Sequence, residues 1–200
     1  MSSGWTYRLR DLCLSVVLLV VLAPVAVVLT LTLLVVQGRP VFFVQQRPGR
    51  YGRPFSLVKF RTMAPATAAD AGDDDARITR IGRFLRASSL DELPELINVA
   101  RGDMALVGPR PLLLDYLDHY TGEQHLRHQV RPGLTGLAQV SGRNALTWPE
   151  KLALDISYVR RRSHLLDLWI LARTVRAVLM PKGDTSHAGH ATMPRLDGPL

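Results

Sequence analysis

From Leu12 to Val36 the chain runs for 25 residues without a charged side chain. About 20 apolar residues are enough to cross the hydrocarbon core of a bilayer, so everything else in this chain has to be built around a membrane segment. A secretory signal has a shorter apolar core and a small-residue cleavage site, so the run reads as a retained anchor. Two features argue against a plain span. Pro24 sits at its centre, lacks an amide hydrogen and crowds the preceding turn, which predicts a kink. Basic residues also flank both sides: Arg8 and Arg10 before the run, and Arg39, Arg47, Arg50 and Arg53 after it. The positive-inside tendency assigns both ends to the cytoplasm. A helix broken at Pro24 would enter and leave through the same leaflet. An ordinary kinked span is the alternative, because prolines are tolerated in transmembrane helices. The residues alone leave the two open.

The chain has 200 residues and a formal net charge of +8, which is one domain's worth of sequence with an excess of cations. That excess suits an anionic partner: a nucleic acid, an acidic membrane surface or a phosphorylated substrate. Nucleic acid is disfavoured, since no reader motif or aromatic ladder is present. The lone cysteine, Cys13, cannot form an intrachain disulfide and reads as a structural thiol. There is no P-loop, dinucleotide glycine pattern or nucleophile elbow. The His125/His128 and His187/His190 pairs lack Cys or acidic partners at metal-site spacing, so no ligand role is assigned to them.

The order of elements reads as mostly α with a small β-hairpin, an α+β chain. It divides into an anchor over 1–40, a catalytic domain over 41–180 and an irregular tail over 181–200. Val41–Val44 and Phe55–Phe60 are the expected strands of the hairpin, joined through the turn-rich QQRPGRYGRPF. Residues 64–76 form an acidic loop, in which Asp73, Asp74 and Asp75 read as a solvated charge run rather than a metal site. Residues 77–87 suggest a short basic helix. SSLDELPELINVARGD is the most informative helix, and 104–120 holds a Gly-Pro-Arg-Pro turn followed by another. Residues 121–148 are loop-rich. Thr147 and Glu150 have capping-box spacing around Pro149, opening a helix to about Arg162. His164–Met180 is apolar but broken by charges; it reads as an amphipathic helix in the membrane interface with Trp169 as anchor, or else as a core helix.

Asp91 and Glu92 are adjacent carboxylates at the start of the DELP helix. Ser89 at the N-cap would make an S-x-x-E box but strand Pro94 beyond the first turn. Asp91 as N-cap keeps Pro94 within the first turn, and is preferred. Either way the pair lies at the positive end of a helix dipole. Capping alone would explain such a pair. What changes its meaning is a set of cations at turns and element boundaries: Lys59 and Arg61 in KFRTM, Arg86 in FLRASS, Arg110 in VGPRP and Arg143 in SGRN. Guanidinium forks suit phosphate oxygens.

The segments VFFVQQRPGRYGRPFSLVKFRTM, ITRIGRFLRASSLDELPELINVARGDMALVGPRPLL and RHQVRPGLTGLAQVSGRN together resemble the bacterial sugar transferases, the small monotopic phosphoglycosyl transferases, over roughly residues 5–180. The resemblance implies a re-entrant helix broken at Pro24, where Ala23 stands in place of the family's frequent serine. It implies residence on the cytoplasmic face of the bacterial inner membrane, in contact with its lipid, with the oligomeric state open between monomer and homodimer. It implies transfer of a sugar 1-phosphate from a UDP-sugar to a polyprenyl phosphate, releasing UMP, with Asp91 as nucleophile. Glu92 would be its metal and electrostatic partner, with Mg²⁺ held by Glu92 and Asp91. Lys59, Arg61, Arg86, Arg110 and Arg143 map onto the family's basic substrate-binding positions. The chain departs from many members at Glu95, where they have Gln, and at Leu137 and Ser141, where they have Trp and Asn. The tail SHAGHATMP is similar to that of small members in glycoprotein pathways, which often use N-acetylated amino sugars.

Overall fold

The computed structural model describes residues 4–65, 75–142 and 145–179. The tail 181–200, Arg143 and most of the acidic loop lie outside the described residues.

The apolar run forms one long helix, α1 (Gly4–Gln37), with Pro24 inside it. At ~1.5 Å per residue its 34 residues measure roughly 51 Å along the axis. Asp11, Ser15, Leu19, Leu22, Ala26, Leu29 and Leu33 recur every three or four residues and are among the side chains with restricted exposure. They form a single helical stripe. Leu19 and Leu22 pack on the main core, and Leu29 and Leu33 pack beside Phe60 and Leu85. The rest of α1 is apolar and bare: Val20, Val28 and Val35 are 70%, 62% and 84% exposed. Such a surface has no reason to face water, whereas a lipid environment satisfies it.

Polar ties fix both ends of α1 to the body. Near the start, Arg8 donates from Nη1 to Val99 O and from Nη2 to Ala100 O, each at 2.6 Å. Arg10 bridges Asp11 at 2.8 Å and Asp167 at 2.7 Å. At the far end, Arg61 donates to the last carbonyls of the helix, Gln37 O and Gly38 O, and to Arg39 O. Cations belong at helix C-termini, where carbonyls lack intrahelical partners.

β1 (Phe42–Pro48) and β2 (Pro54–Phe60) form the expected antiparallel hairpin, with Phe42 opposite Phe60 and Pro48 opposite Pro54. Alternation in β2 buries Phe55 and Leu57 on one face, while Phe60, on the other, packs with Leu33 and Leu85. The basic helix is α2 (Arg80–Ser88), N-capped by the Thr79 side chain. The DELP segment folds differently from expectation. Ser89 takes a left-handed conformation (φ 58°), Leu90–Glu92 make a 3₁₀ turn, and regular helix α3 (Glu95–Arg101) begins only after Pro94. Asp91 is therefore inside the 3₁₀ turn, not an N-cap. The reason is Pro94, whose missing amide hydrogen separates the tight turn from the α-helical ladder.

Residues 104–120 also differ from expectation: they give a short strand, β3 (Ala105–Val107), and a 3₁₀ segment, Leu114–His119, rather than a helix. The loop-rich stretch hides a second 3₁₀ segment, Gln124–Gln129, and the strand β4 (Gly133–Thr135), which pairs in parallel with β3. A short helix α4 (Leu137–Ser141) follows. The capping box is present: Thr147 N donates to Glu150 Oε2 at 2.7 Å at the head of α5 (Trp148–Arg161). α6 (His164–Leu179) is two-faced. Asp167 and Ile170 are fully buried, while Leu165 and Leu179 are 79% and 75% exposed and Trp169 is 44% exposed.

The core gathers Leu57 from the hairpin, Leu96 and Val99 from α3, Leu106 and Val107 from β3, Tyr158 from α5 and Ile170 from α6. Its polar centre is built on Tyr158, whose Oη donates to Asp167 Oδ1 at 2.7 Å and lies 3.0 Å from Val107 O. Arg10 completes this buried chain from α1.

Candidate active site

The hairpin and α3 are joined by one buried side chain. Asn98, fully buried, donates from Nδ2 to Ser56 O at 2.8 Å and accepts from Val58 N at 3.2 Å through Oδ1. Its amide thus serves the outer edge of β2 as a third strand would. That tie places Lys59, at the end of β2, directly over the acidic turn.

Lys59 Nζ lies 2.8 Å from Glu92 Oε1 and 2.9 Å from Glu95 Oε1. Arg110, from the Gly-Pro-Arg-Pro loop after β3, reaches the same Glu92 oxygen at 2.5 Å. Two cations on one carboxylate decide its ionisation. Burial opposes the charge, but Arg110 and Lys59 outweigh it and hold Glu92 well below the usual carboxylate range. Arg110's side chain remains 43% exposed, so solvent screens its share of the pair.

Asp91 is in a different state. It is 8% exposed, and among the described residues no hydrogen bond or ion pair holds its carboxylate. Burial, and next the charge on Glu92, push it above the ordinary value; Lys59, Arg110 and Arg86 pull the other way. Glu95 is more extreme. It is 2% exposed, and desolvation drives it up to about 7 against the pull of Lys59.

The expected site residues thus fall into three groups. Asp91, Glu92, Lys59 and Arg110 converge, and Arg86 stands close enough to act on Asp91 while its Nε donates to Thr62 Oγ1 at 3.0 Å. Arg61 is engaged with the end of α1. Arg143 lies outside the described residues. Ala23 and Pro24 sit at the middle of α1, both exposed.

Two residues near the site carry no site role in the sequence reading. Arg47, on β1, is held by Gln45 Oε1 at 2.7 Å. Burial, and then the charge of Arg110, bring it down to about 10, while Glu95 counteracts them. Gln45 and Arg47 share one strand face, but the Pro and Gly of QQRPGRYGRPF point to turn, and Arg47 reads only as a cation flanking the anchor. Arg127 is buried and donates from Nη2 to Asp155 Oδ2 and to Arg110 O, both at 2.7 Å. It therefore positions the Arg110 loop from behind. No local pattern announces it, because its partners are 17 and 28 residues away.

An apolar anchor bound to a domain whose acidic turn has Lys59, Arg110 and Arg86 beside it is the pattern of a membrane-associated protein. The protein-family comparison agrees. The "Bacterial sugar transferase" model matches residues 2–181, and the chain belongs to that family. It is 47% identical to the uncharacterised sugar transferase EpsL of Bacillus subtilis, over 96% of this chain and 95% of that one. It is 42% identical to the UDP-glucose:undecaprenyl-phosphate glucose-1-phosphate transferase of Caulobacter vibrioides, over 86% of this chain and 69% of the relative. With the undecaprenyl-phosphate galactose phosphotransferase of Salmonella typhimurium the identity is 36%, over 91% of this chain and 42% of the longer relative.

Proposed function

We propose that this enzyme, a phosphoglycosyl transferase, moves a sugar 1-phosphate from a UDP-sugar to a polyprenyl phosphate through a covalent intermediate on Asp91. The substrate class follows the relatives, whose names specify transfer from UDP-glucose, or of galactose phosphate, to undecaprenyl phosphate. The observation that carries the assignment of Asp91 is the contrast within the acidic pair. Glu92 is committed to Lys59 and Arg110, whereas the Asp91 carboxylate beside it has no protein partner among the described residues and keeps its lone pairs for a reaction.

In the first step an Asp91 Oδ attacks the β-phosphorus. The new Oδ–P bond forms as the bond from phosphorus to the bridging oxygen breaks, and UMP departs with that oxygen and its electron pair. In the second step a polyprenyl phosphate oxygen attacks the same phosphorus and the Oδ–P bond breaks, returning the carboxylate. Lys59, Arg110 and Arg86 lower the cost of bringing an anionic substrate to an anionic nucleophile. Asp91 must be ionised, so its raised pKa makes activity fall as the pH drops through that value.

No group of three or more His, Cys, Asp or Glu side chains suited to a metal occurs among the described residues. Mg²⁺ commonly takes only one or two protein carboxylates plus phosphate oxygens and water, and the pairs with Lys59 and Arg110 engage only Oε1 of Glu92. Asp91 and Glu92 would hold it. Bound there, it would neutralise phosphate charge.

The anchor is read as re-entrant, on the cytoplasmic face of the inner membrane. What supports this is that Arg8 near the start of α1 and Leu33 near its end both contact the same domain, and a span would carry one end away from it. The decisive experiment is an Asp91→Asn variant in a UMP-release assay with several UDP-sugars, with and without EDTA. Turnover should collapse and no radiolabelled sugar should remain on the polypeptide. Wild-type turnover by the amide variant would overturn the assignment.

A further inference from the structure

Beyond Arg110 the surface opens into a groove of about 620 Å³ that the reaction above does not use. It lies between the hairpin tip and the two 3₁₀ segments, and Tyr51, Asp118, Tyr120, His125, His128 and Gln129 line it. Its volume is within the range of small-molecule sites.

We infer that this groove is the nucleoside subsite of the donor, receiving the uracil and ribose of a uridine nucleotide whose phosphates lie on Arg110. The inference rests on the UDP-sugar reading above and extends it to residues outside the reaction centre.

Continuity comes first. His128 lines the groove and also the small crevice that contains Arg110 and Arg127. The groove therefore adjoins the narrow crevice lined by Arg110. Arg127 fixes the two parts together, bonding Arg110 O at 2.7 Å and Tyr120 Oη at 3.2 Å.

The chemistry is the second argument. Bases bind to proteins on aromatic faces, and riboses through their hydroxyls to carboxylates. Tyr51 presents a ring that is 64% exposed at the rim, with the Arg50 guanidinium 4.6 Å from its centroid on one side. Its backbone is left-handed (φ 59°), a conformation uncommon for an aromatic residue and one that concentrates at functional sites. Tyr120, His125 and His128 form a mutual ring cluster, with centroids 5.7 to 6.3 Å apart. Asp118 supplies an exposed carboxylate for a vicinal diol, and Gln129 an amide for a base edge.

His128 adds a polar wall. Its Nε2 is buried without a hydrogen-bond partner, while the ring bonds the Gly49 backbone. Burial, and then Arg127, bring the ring down to about 4, so it is neutral at physiological pH. A neutral ring adds no charge for the uncharged base to meet.

The test uses the full chain in detergent and UMP as the probe. Wild type should bind UMP, and Tyr51→Ala should raise its dissociation constant by about 5- to 100-fold, the usual range for loss of one base-stacking ring. Tyr51→Phe keeps the ring and should stay within about twofold. Wild type should prefer UMP over its 2′,3′-dideoxy analogue, and Asp118→Asn should lose that preference. Photo-cross-linking with 5-iodo-UMP should label residues 51–52 or 117–129. Wild-type UMP affinity in both Tyr51→Ala and Asp118→Asn, absence of UMP binding by wild type, or cross-links elsewhere would overturn the subsite. Cross-links elsewhere with UMP release intact would remove the subsite and leave the transferase reading standing. Failure of every UDP-sugar to release UMP would instead strike that reading itself.

Discussion

Replacing Glu95 by glutamine should make the protein more stable at neutral pH while leaving it unchanged in acid. Glu95 is buried at 2% exposure and holds its proton up to about pH 7 in the folded state, against an ordinary value of 4.5. Between those two values the unfolded chain has released the proton and the folded chain has not. Folding stability therefore falls as the pH rises through that window. At ~1.4 kcal/mol per pH unit, the loss sums to roughly 3 kcal/mol by pH 7 and then levels off. Glutamine carries no titrating proton, so the variant escapes the loss. For a chain of this size ~3 kcal/mol corresponds to a shift of roughly 10 °C in Tm. Thermal unfolding of both proteins in detergent, at pH steps from 4.5 to 8, reads this directly. The two Tm curves should coincide near pH 4.5 and diverge to pH 7, with the variant above. Parallel curves across the range would refute the argument that burial defeats Lys59 in setting the state of Glu95.

Two further substitutions probe the supports of the site. Tyr158→Phe removes the hydroxyl between Asp167 and Val107 O and should cost about 1–3 kcal/mol by leaving buried acceptors without their donor, seen as a lowered denaturation midpoint. Gly133→Ala would place a Cβ 2.0 Å from Gly108 N, so β3 and β4 must separate. Because the loop after Gly108 carries Arg110, UMP release should fall more than tenfold in protein that still purifies folded, and normal activity would show that the pairing does not hold the loop.

The features legible from sequence were those with short-range causes. The hairpin follows from two apolar strands around a Gly/Pro turn, α5 from its Thr147–Glu150 box, and the anchor from its lack of charge. The convergence of Lys59, Glu92 and Arg110 was legible only through resemblance, since the residues are separated by 33 and 18 positions. The 3₁₀ turn around Asp91 was missed because a capping argument assumes one regular helix, whereas Pro94 divides the segment. The β3–β4 pair was missed because three-residue parallel strands leave no periodic signature. Arg47 was hidden by a Pro-Gly neighbourhood that looks like loop, and Arg127 by partners distant in the chain.

Arg61, two residues beyond Lys59 in the chain, closes the end of the long apolar helix. The end of the apolar helix and the lysine above the acidic turn are thus coupled through a link of two residues. Any displacement of that helix end is therefore passed to Lys59 across two residues of backbone, about 7 Å of chain at most.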